Sequence, residues 1–258
     1  MTAISSHEPV IIVEDLTAGY GEELIFDGLN FQVERGEIFV ILGGSGCGKS
    51  TLLRLLIGLK SPGAGKIMVN GVDIGTAGER EMQEVRTGIG VLFQSGALFG
   101  SMTLAENVAF PLREYTNLSP LAIDRIVAMK LAMVSLAGHE NHYPAELSGG
   151  MVKRAGLARA MALDPAILFF DEPSAGLDPV TAAELDELIK VLNGGLGTTM
   201  VVVTHELESI LAIADRVIML DPTKKGIIAE GDPRELKAHS RDPLVHSFFN
   251  RIPLKTGQ

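Results

Sequence analysis

The 258-residue sequence predicts an α/β fold with a mostly parallel sheet at its core and a helical lobe inserted into it. Three observations carry this reading. Short apolar runs at 38–42, 166–170 and 200–203 have the length and composition of strands buried on both faces. Helical patterns alternate with strand patterns on either side of the middle of the chain. From about 104 to 160 that alternation gives way to a mostly helical block.

Each element follows in order. Residues 10–13 are β-branched and read as a strand. Residues 31–33 and 38–42 follow, separated by the turn Glu34-Arg35-Gly36-Glu37. A glycine-rich stretch at 43–48 opens a helical pattern over 49–59, which stops at Ser61-Pro62-Gly63. Residues 66–69 read as a strand ended by Asn70-Gly71, a strong hairpin signal, and 89–93 as another short strand. The helical block is broken at Asn117-Leu118-Ser119-Pro120 and again over 138–144. Strand, helix, strand, helix and strand then recur at 166–170, 181–192, 199–203, about 207–214 and 216–220. From about Asp232 the tail reads as helical and then extended.

Composition narrows the function. Hydrophobic residues are 46% and charged residues 21%, as in an ordinary folded domain. Mean hydropathy is slightly positive, at +0.26. Even so, no run approaches the roughly 18 consecutive apolar residues that a membrane helix needs. The formal net charge of -10, with no basic stripe, argues against a nucleic-acid partner. It also opposes direct docking on an anionic leaflet, so membrane association is expected to run through a protein. Residues 1–9 lack the basic and apolar regions of a signal peptide. A single cysteine, Cys47, excludes an intrachain disulfide and fits a reducing cytoplasm.

Two motifs carry chemistry. Gly43-Gly44-Ser45-Gly46-Cys47-Gly48-Lys49-Ser50, followed by Thr51, fits G-x-x-x-x-G-K-[ST] between an apolar strand and a helix. Glycines let the backbone wrap a polyphosphate with its N–H groups inward, and the helix start adds partial positive charge. Lys49 can reach the β- and γ-phosphates, and Ser50 can offer Mg²⁺ an oxygen. Downstream, the run 167–170 ends in Asp171-Glu172. Asp171 suits Mg²⁺, and Glu172 is placed to orient or deprotonate a water. The competing readings are a glycine-rich turn with a chance lysine and a strand followed by an acidic turn. Both motifs in one chain tell against them.

With Leu147-Ser148-Gly149-Gly150-Met151 upstream of the carboxylates, the sequence resembles the ABC ATPases. Gln94 matches their Q-loop, Ser174-Ala175-Gly176-Leu177-Asp178 their D-loop and His205 their switch histidine. The six segments stand in the family's order, and the match covers roughly 10–230. The resemblance implies a P-loop NTPase (RecA-like) core, an N-terminal antiparallel β subdomain and an inserted helical signature lobe. It implies ATP hydrolysis with Mg²⁺ held by Ser50, Gln94 and Asp171. Glu172, His205, Gln94 and Lys49 would act on the reacting phosphate. Tyr20 would stack on adenine, a half-buried core tyrosine being the alternative. Ser148, Gly149, Gly150 and Asp178 would meet ATP held by a second copy, so that ATP glues a homodimer. The alternative for Ser-Gly-Gly is a turn capping a helix that begins near Met151. Most members carry glutamine where this chain has Met151. A thioether cannot replace an amide's hydrogen bonds, so this position is not expected to be essential to γ-phosphate contact.

A narrower resemblance rests on Gln94-Ser95-Gly96-Ala97-Leu98-Phe99, Phe110-Pro111-Leu112-Arg113-Glu114 and the methionine signature. Together these resemble the ATPase of Mla/Mce-type phospholipid transporters. That implies two ATPases, two integral-membrane permease subunits, a ring of MCE-domain substrate-binding proteins and a small STAS-domain regulator, with this chain at the cytoplasmic face of the inner membrane. Leu98, Phe99 and Met102 would line a groove for the permease or pack inside the lobe; sequence does not separate the two. Phe248, Phe249, Ile252 and Leu254 in the tail would pack on their own domain or clasp a second copy. Residues 1–232 are expected to form one ATPase domain with the lobe at about 95–160, and 233–258 a C-terminal extension. The rival classes are an ABC ATPase for another substrate, a non-transport ABC ATPase, and a non-hydrolysing subunit. Glu172 and His205 argue against the last.

Overall fold

A computed structural model describes residues 8–253. The described chain forms two compact units. One holds the chain up to Gly78 together with the chain from Val203 onward, and the other is Glu79–Val202.

The first unit begins with a long hairpin. β1 (Pro9–Tyr20) and β2 (Glu23–Glu34) pair antiparallel down to Tyr20 opposite Glu23. Only Gly21 and Glu22 close the turn, and Gly21 supplies its positive φ of 57°. β3 (Ile38–Gly43) is buried at every residue, and α1 (Lys49–Leu56) follows it. β4 (Ala64–Val69) and the two-residue β5 (Val72–Asp73) complete an antiparallel sheet of order β2-β1-β4-β5. Asn70 and Gly71 join them with φ of 48° and 81°, the doubly positive turn that their sequence predicts. α1 stops earlier than expected, because Gly58 at φ 71° closes a Schellman motif. Leu59 N–H reaches Arg54 O at 2.8 Å and Gly58 N–H reaches Leu55 O at 3.1 Å.

The second unit holds α2 (Glu79–Gly88) and β6 (Ile89–Leu92), then α3 (Leu104–Tyr115), α4 (Pro120–Met133) and α5 (Gly149–Ala160). It continues with β7 (Ile167–Asp171), α6 (Pro179–Leu196) and β8 (Thr199–Val203), where the chain returns to the first unit. β6 and β7 pair parallel, and β8 lies on the other side of β7. Local signals place the helices. Thr103 and Glu106 form a capping box on α3, and Ser119 caps α4 ahead of Pro120. Lys130, 1% exposed, is satisfied by an ion pair with Asp164.

Back in the first unit come α7 (Leu207–Ile213), β9 (Arg216–Asp221), β10 (Gly226–Gly231), α8 (Pro233–His239) and α9 (Pro243–Asn250). β9 runs parallel to β3, and β10 antiparallel to β9. Arg216 ties these strands to the hairpin. Its guanidinium donates to Glu37, Glu230 and the Gln32 carbonyl and lies 4.9 Å above the Phe39 ring. Within the described residues the tail forms two helices rather than one followed by extended chain. Asp232 and Asp242 each cap a helix that opens with proline. Val245 and Phe249 are buried, so that part of the tail packs on its own unit, whereas Ile252 is 49% exposed. Leu254 and residues 1–7 of the N-terminal segment lie outside the described residues. Among the described residues, no helix is long and apolar enough to cross a membrane.

Candidate functional site

The predicted site residues fall into two groups, one in each unit. In the first unit, β3 delivers the chain to the phosphate loop. Gly48 is the N-cap of α1 at φ 99°, and a Cβ there would stand 2.5 Å from Ile25 and 2.7 Å from Phe26. Gly43 is equally confined, since its Cβ would meet Cys47 Sγ and Leu220 O at 2.6 Å. Gly44 and Gly46 differ: nothing lies within 4 Å of a Cβ at either. The loop is therefore packed on its inner side and open on its outer side, where Gly44, Ser45, Gly46 and Ser50 are exposed. Lys49 arches back over it, donating to Gly43 O at 2.8 Å and Gly44 O at 3.1 Å. An ammonium has three donors, so this cation already sits where an anion on the open side would meet it. Cys47 is buried, and that burial pushes its thiol pKa up against the pull of Lys49.

Tyr20 and His205 belong to the same unit. Tyr20 ends β1, is 47% exposed, and carries the Lys60 ammonium 4.1 Å from its ring centroid. Hydrogen bonding toward Thr51, then Arg54, holds its hydroxyl below the usual phenol range. A cavity of about 280 Å³ lies along the same hairpin end, lined by Thr17, Gly19, Glu22 and Lys60 among others. His205 is exposed just past β8. The neighbouring Thr204 N–H bonds Ile41 O at 3.3 Å, which fixes this strand end beside β3.

The second unit holds the acidic and signature residues. Asp171 closes β7, and Glu172 follows at φ 48°, both half-buried. Ser148 caps α5, its Oγ accepting from Met151 N at 3.3 Å. α5 thus starts at Gly149, two residues before the capping alternative placed it. Gly150 packs so closely on Thr181 that a Cβ would stand 2.5 Å away. Asp178 caps α6 through Val180 N, Thr181 N and Thr181 Oγ1. The hydroxyl bond from Thr181, foremost, lowers its pKa. Gln94 is exposed in the turn after β6, which Gly96 N–H closes onto Phe93 O at 2.7 Å. Arg159 of α5 reaches into the same segment, donating to Ala97 O at 2.7 Å and Gly96 O at 3.2 Å. Burial lowers the Arg159 pKa. Phe99, 43% exposed, packs tilted on Phe110 with centroids 5.0 Å apart, while Leu98 and Met102 are half-buried.

A family model described as "ABC transporter" matches residues 26–175, more than half of the chain. The chain belongs to the ABC transporter family. Its relatives include the "Intermembrane phospholipid transport system ATP-binding protein MlaF" of Haemophilus influenzae, 46% identical over 94% of this chain and 91% of that one. The protein of the same name from Escherichia coli K12 is 43% identical over 94% and 89%. The "Probable ribonucleotide transport ATP-binding protein mkl" of Mycobacterium tuberculosis is 46% identical over 93% of this chain, which spans 66% of that relative's length. The solved structure of cbiO1 from Clostridium perfringens, part of the ABC transporter complex cbiONQ, superposes with TM-score 0.83 at 28% identity, covering 90% of this chain and 92% of that one. A dimeric post-hydrolysis state of the ATP-binding cassette MJ0796, bound to ADP and Pi, gives TM-score 0.77 at 30% identity, covering 86% and 98%.

For an ABC cassette the donor chemistry suits Mg²⁺. Ser50 hydroxyl, Gln94 amide oxygen and Asp171 carboxylate are hard oxygen donors, and Mg²⁺ takes few protein ligands beside phosphate. Sequence reasoning missed two α5 residues, Lys153 and Arg159. Lys153, 5% exposed, donates to Glu172 O at 3.1 Å. Burial lowers its pKa, and the charges of Asp171 and Glu172 oppose that. The available signal was helical spacing: Gly150, Lys153 and Leu157 share one buried face of α5.

Proposed function

We propose that this ABC cassette is the ATP-hydrolysing subunit that powers phospholipid trafficking between inner and outer membranes through a permease partner. One observation carries this reading. Identity of 43–46% to MlaF proteins runs along nearly the whole of both chains and so is not confined to a nucleotide-binding core. Equal identity to mkl, named for ribonucleotide transport, favours a second cargo, but there the match leaves a third of the relative uncovered.

The chemistry follows from the residues. The phosphate loop and Lys49 bind the β- and γ-phosphates, and Tyr20 stacks on the base. Glu172 accepts the proton of the attacking water. His205 and Gln94 orient that water and the γ-phosphate. Ser50, Gln94 and Asp171 would hold Mg²⁺, which spreads the charge of the phosphates when bound. Ser148 and Gly149, at the start of α5, present an anion site to ATP held by a second copy. ATP thus favours the paired state, and hydrolysis releases it. The exposed Phe99–Phe110 pair is the apolar surface offered to the permease, which holds this chain at the cytoplasmic face of the inner membrane, and MCE-domain and STAS-domain proteins complete the complex.

Reconstitution with its permease in lipid vesicles tests this. Labelled phospholipid should redistribute only with ATP, and the Glu172→Gln variant should abolish it. ATP-dependent movement of labelled ribonucleotide with static lipid would overturn the cargo assignment and keep the ATPase.

A further inference from the structure

Lys153 stands in the second turn of α5, five residues after the Ser148 cap. Burying an ammonium is costly unless it finds a partner of high electron density. It donates to the main-chain carbonyl of Glu172, 3.1 Å away. The same oxygen accepts Ala175 N–H at 3.2 Å, closing the turn after β7. Glu172 itself holds φ 48°. That conformation costs a residue with a Cβ about 1–2 kcal/mol and persists only where its surroundings enforce it. The enforced residue is the one whose carboxylate is assigned to the attacking water, and the enforcing one rides on the signature helix.

We infer that Lys153 is a positioning residue, whose ammonium holds the Glu172 backbone in its left-handed turn and so mechanically joins the signature turn to the general base of the same chain. The inference rests on the roles proposed above for Glu172 and Ser148. It also adds a consequence to them. In an ATP-sandwiched pair, the signature turn of one copy meets the partner's nucleotide, whereas Glu172 serves the copy's own. A displacement of α5 on the first site is therefore passed through Lys153 to the base of the second. Couplings between the sites need a contiguous element that both bias, and this helix with its buried cation is one.

The test uses the full chain and three measurements. Lys153→Met keeps the apolar stem and removes the donor, while Lys153→Arg restores a donor. Losing a hydrogen bond from a charged group is worth roughly tenfold or more. In Lys153→Met, kcat for ATP should fall about tenfold with KM within about twofold, and backbone amide exchange over 172–177 should rise about tenfold without nucleotide. The melting temperature should hold, because a methionine stem fills the space without a buried charge. Lys153→Arg should recover both kcat and protection. Unchanged kcat and exchange in Lys153→Met would overturn the inference. So would an arginine variant no better than methionine, or a loss that tracks a general fall in melting temperature with exchange raised throughout the second unit. If the parent chain hydrolyses no ATP while the exchange responses follow as stated, the base assignment fails and the mechanical link stands.

Discussion

The phosphate loop and the turn after β7 both bend the backbone to positive φ, and they do so by different means. In the loop, glycines at 46 and 48 adopt φ of 78° and 99°. Glycine reaches such angles without a steric penalty, so the shape is written into the local sequence. In the turn, a glutamate stands at 48°, and a lysine nineteen residues upstream grips its carbonyl. The loop owns its conformation, whereas the turn borrows one. The loop should therefore be sensitive to what is added to it, and the turn to what is removed elsewhere.

The largest effect should come from separating the turn's frame from its carboxylate. Glu172→Gln leaves the carbonyl that Lys153 grips and replaces only the side-chain oxygen. Turnover should fall by about 10²–10⁴, the usual worth of a general base. ATP binding should persist, and light scattering or sedimentation should show an ATP-stabilised pair. Near-normal turnover in this variant would leave the borrowed conformation without a catalytic purpose.

On the loop's side, two alanines divide shape from function. Gly48→Ala places a methyl 2.5 Å from Ile25 in a left-handed conformation. Overpacking and backbone strain together should cost about 3 kcal/mol in denaturant unfolding. Gly44→Ala meets nothing within 4 Å, so its stability should stay within about 0.5 kcal/mol of the parent. Its methyl projects into the open side, and nucleotide affinity should drop about tenfold, or 1.4 kcal/mol. If Gly44→Ala bound nucleotide as the parent does, the open side would not be where the phosphates lie.

The same contrast explains what could be read in advance. The loop, β3, β8 and the Asn70-Gly71 turn were legible because their signals are local: apolar runs, glycine spacing, a turn dipeptide. The early stop of α1 was written at Gly58 but was masked by the stronger-looking Ser61-Pro62-Gly63. α2 and β10 escaped notice. α2 is mostly polar, with only Met82 and Val85 buried, and β10 is an edge strand with no buried residue. Lys153 and Arg159 match none of the motifs that carry chemistry. Helical spacing puts Lys153 on the buried face of α5, but the carbonyls that Lys153 and the half-buried Arg159 reach belong to distant segments, which spacing does not report.

Cys47 offers a probe of the loop alone. Its thiol is 2% exposed, behind the position a Gly43 Cβ would fill. Burial raises its pKa, so the reactive thiolate should accumulate only above the ordinary thiol range, and alkylation should quicken with pH later than in unfolded protein. At neutral pH, labelling should be at least about tenfold slower than in denaturant, and slower again with ATP. Labelling at the unfolded rate, indifferent to nucleotide, would mean that the loop is not closed by its own glycines.

The smallest effect should come from Met151, where the signature departs from the family's glutamine. Two facts decide the expectation. The hydrogen bond at this position runs from the Met151 backbone N–H to Ser148 Oγ, so any residue but proline can make it. The side chain is half-buried in a helix where methionine and glutamine have nearly equal propensity. Met151→Gln should therefore keep ATPase activity within about twofold, a change under 0.5 kcal/mol. A tenfold loss with folding intact would show that the thioether itself shapes the signature turn. The division between a loop held by its own residues and a turn held from α5 would then extend to a side chain in the first turn of α5.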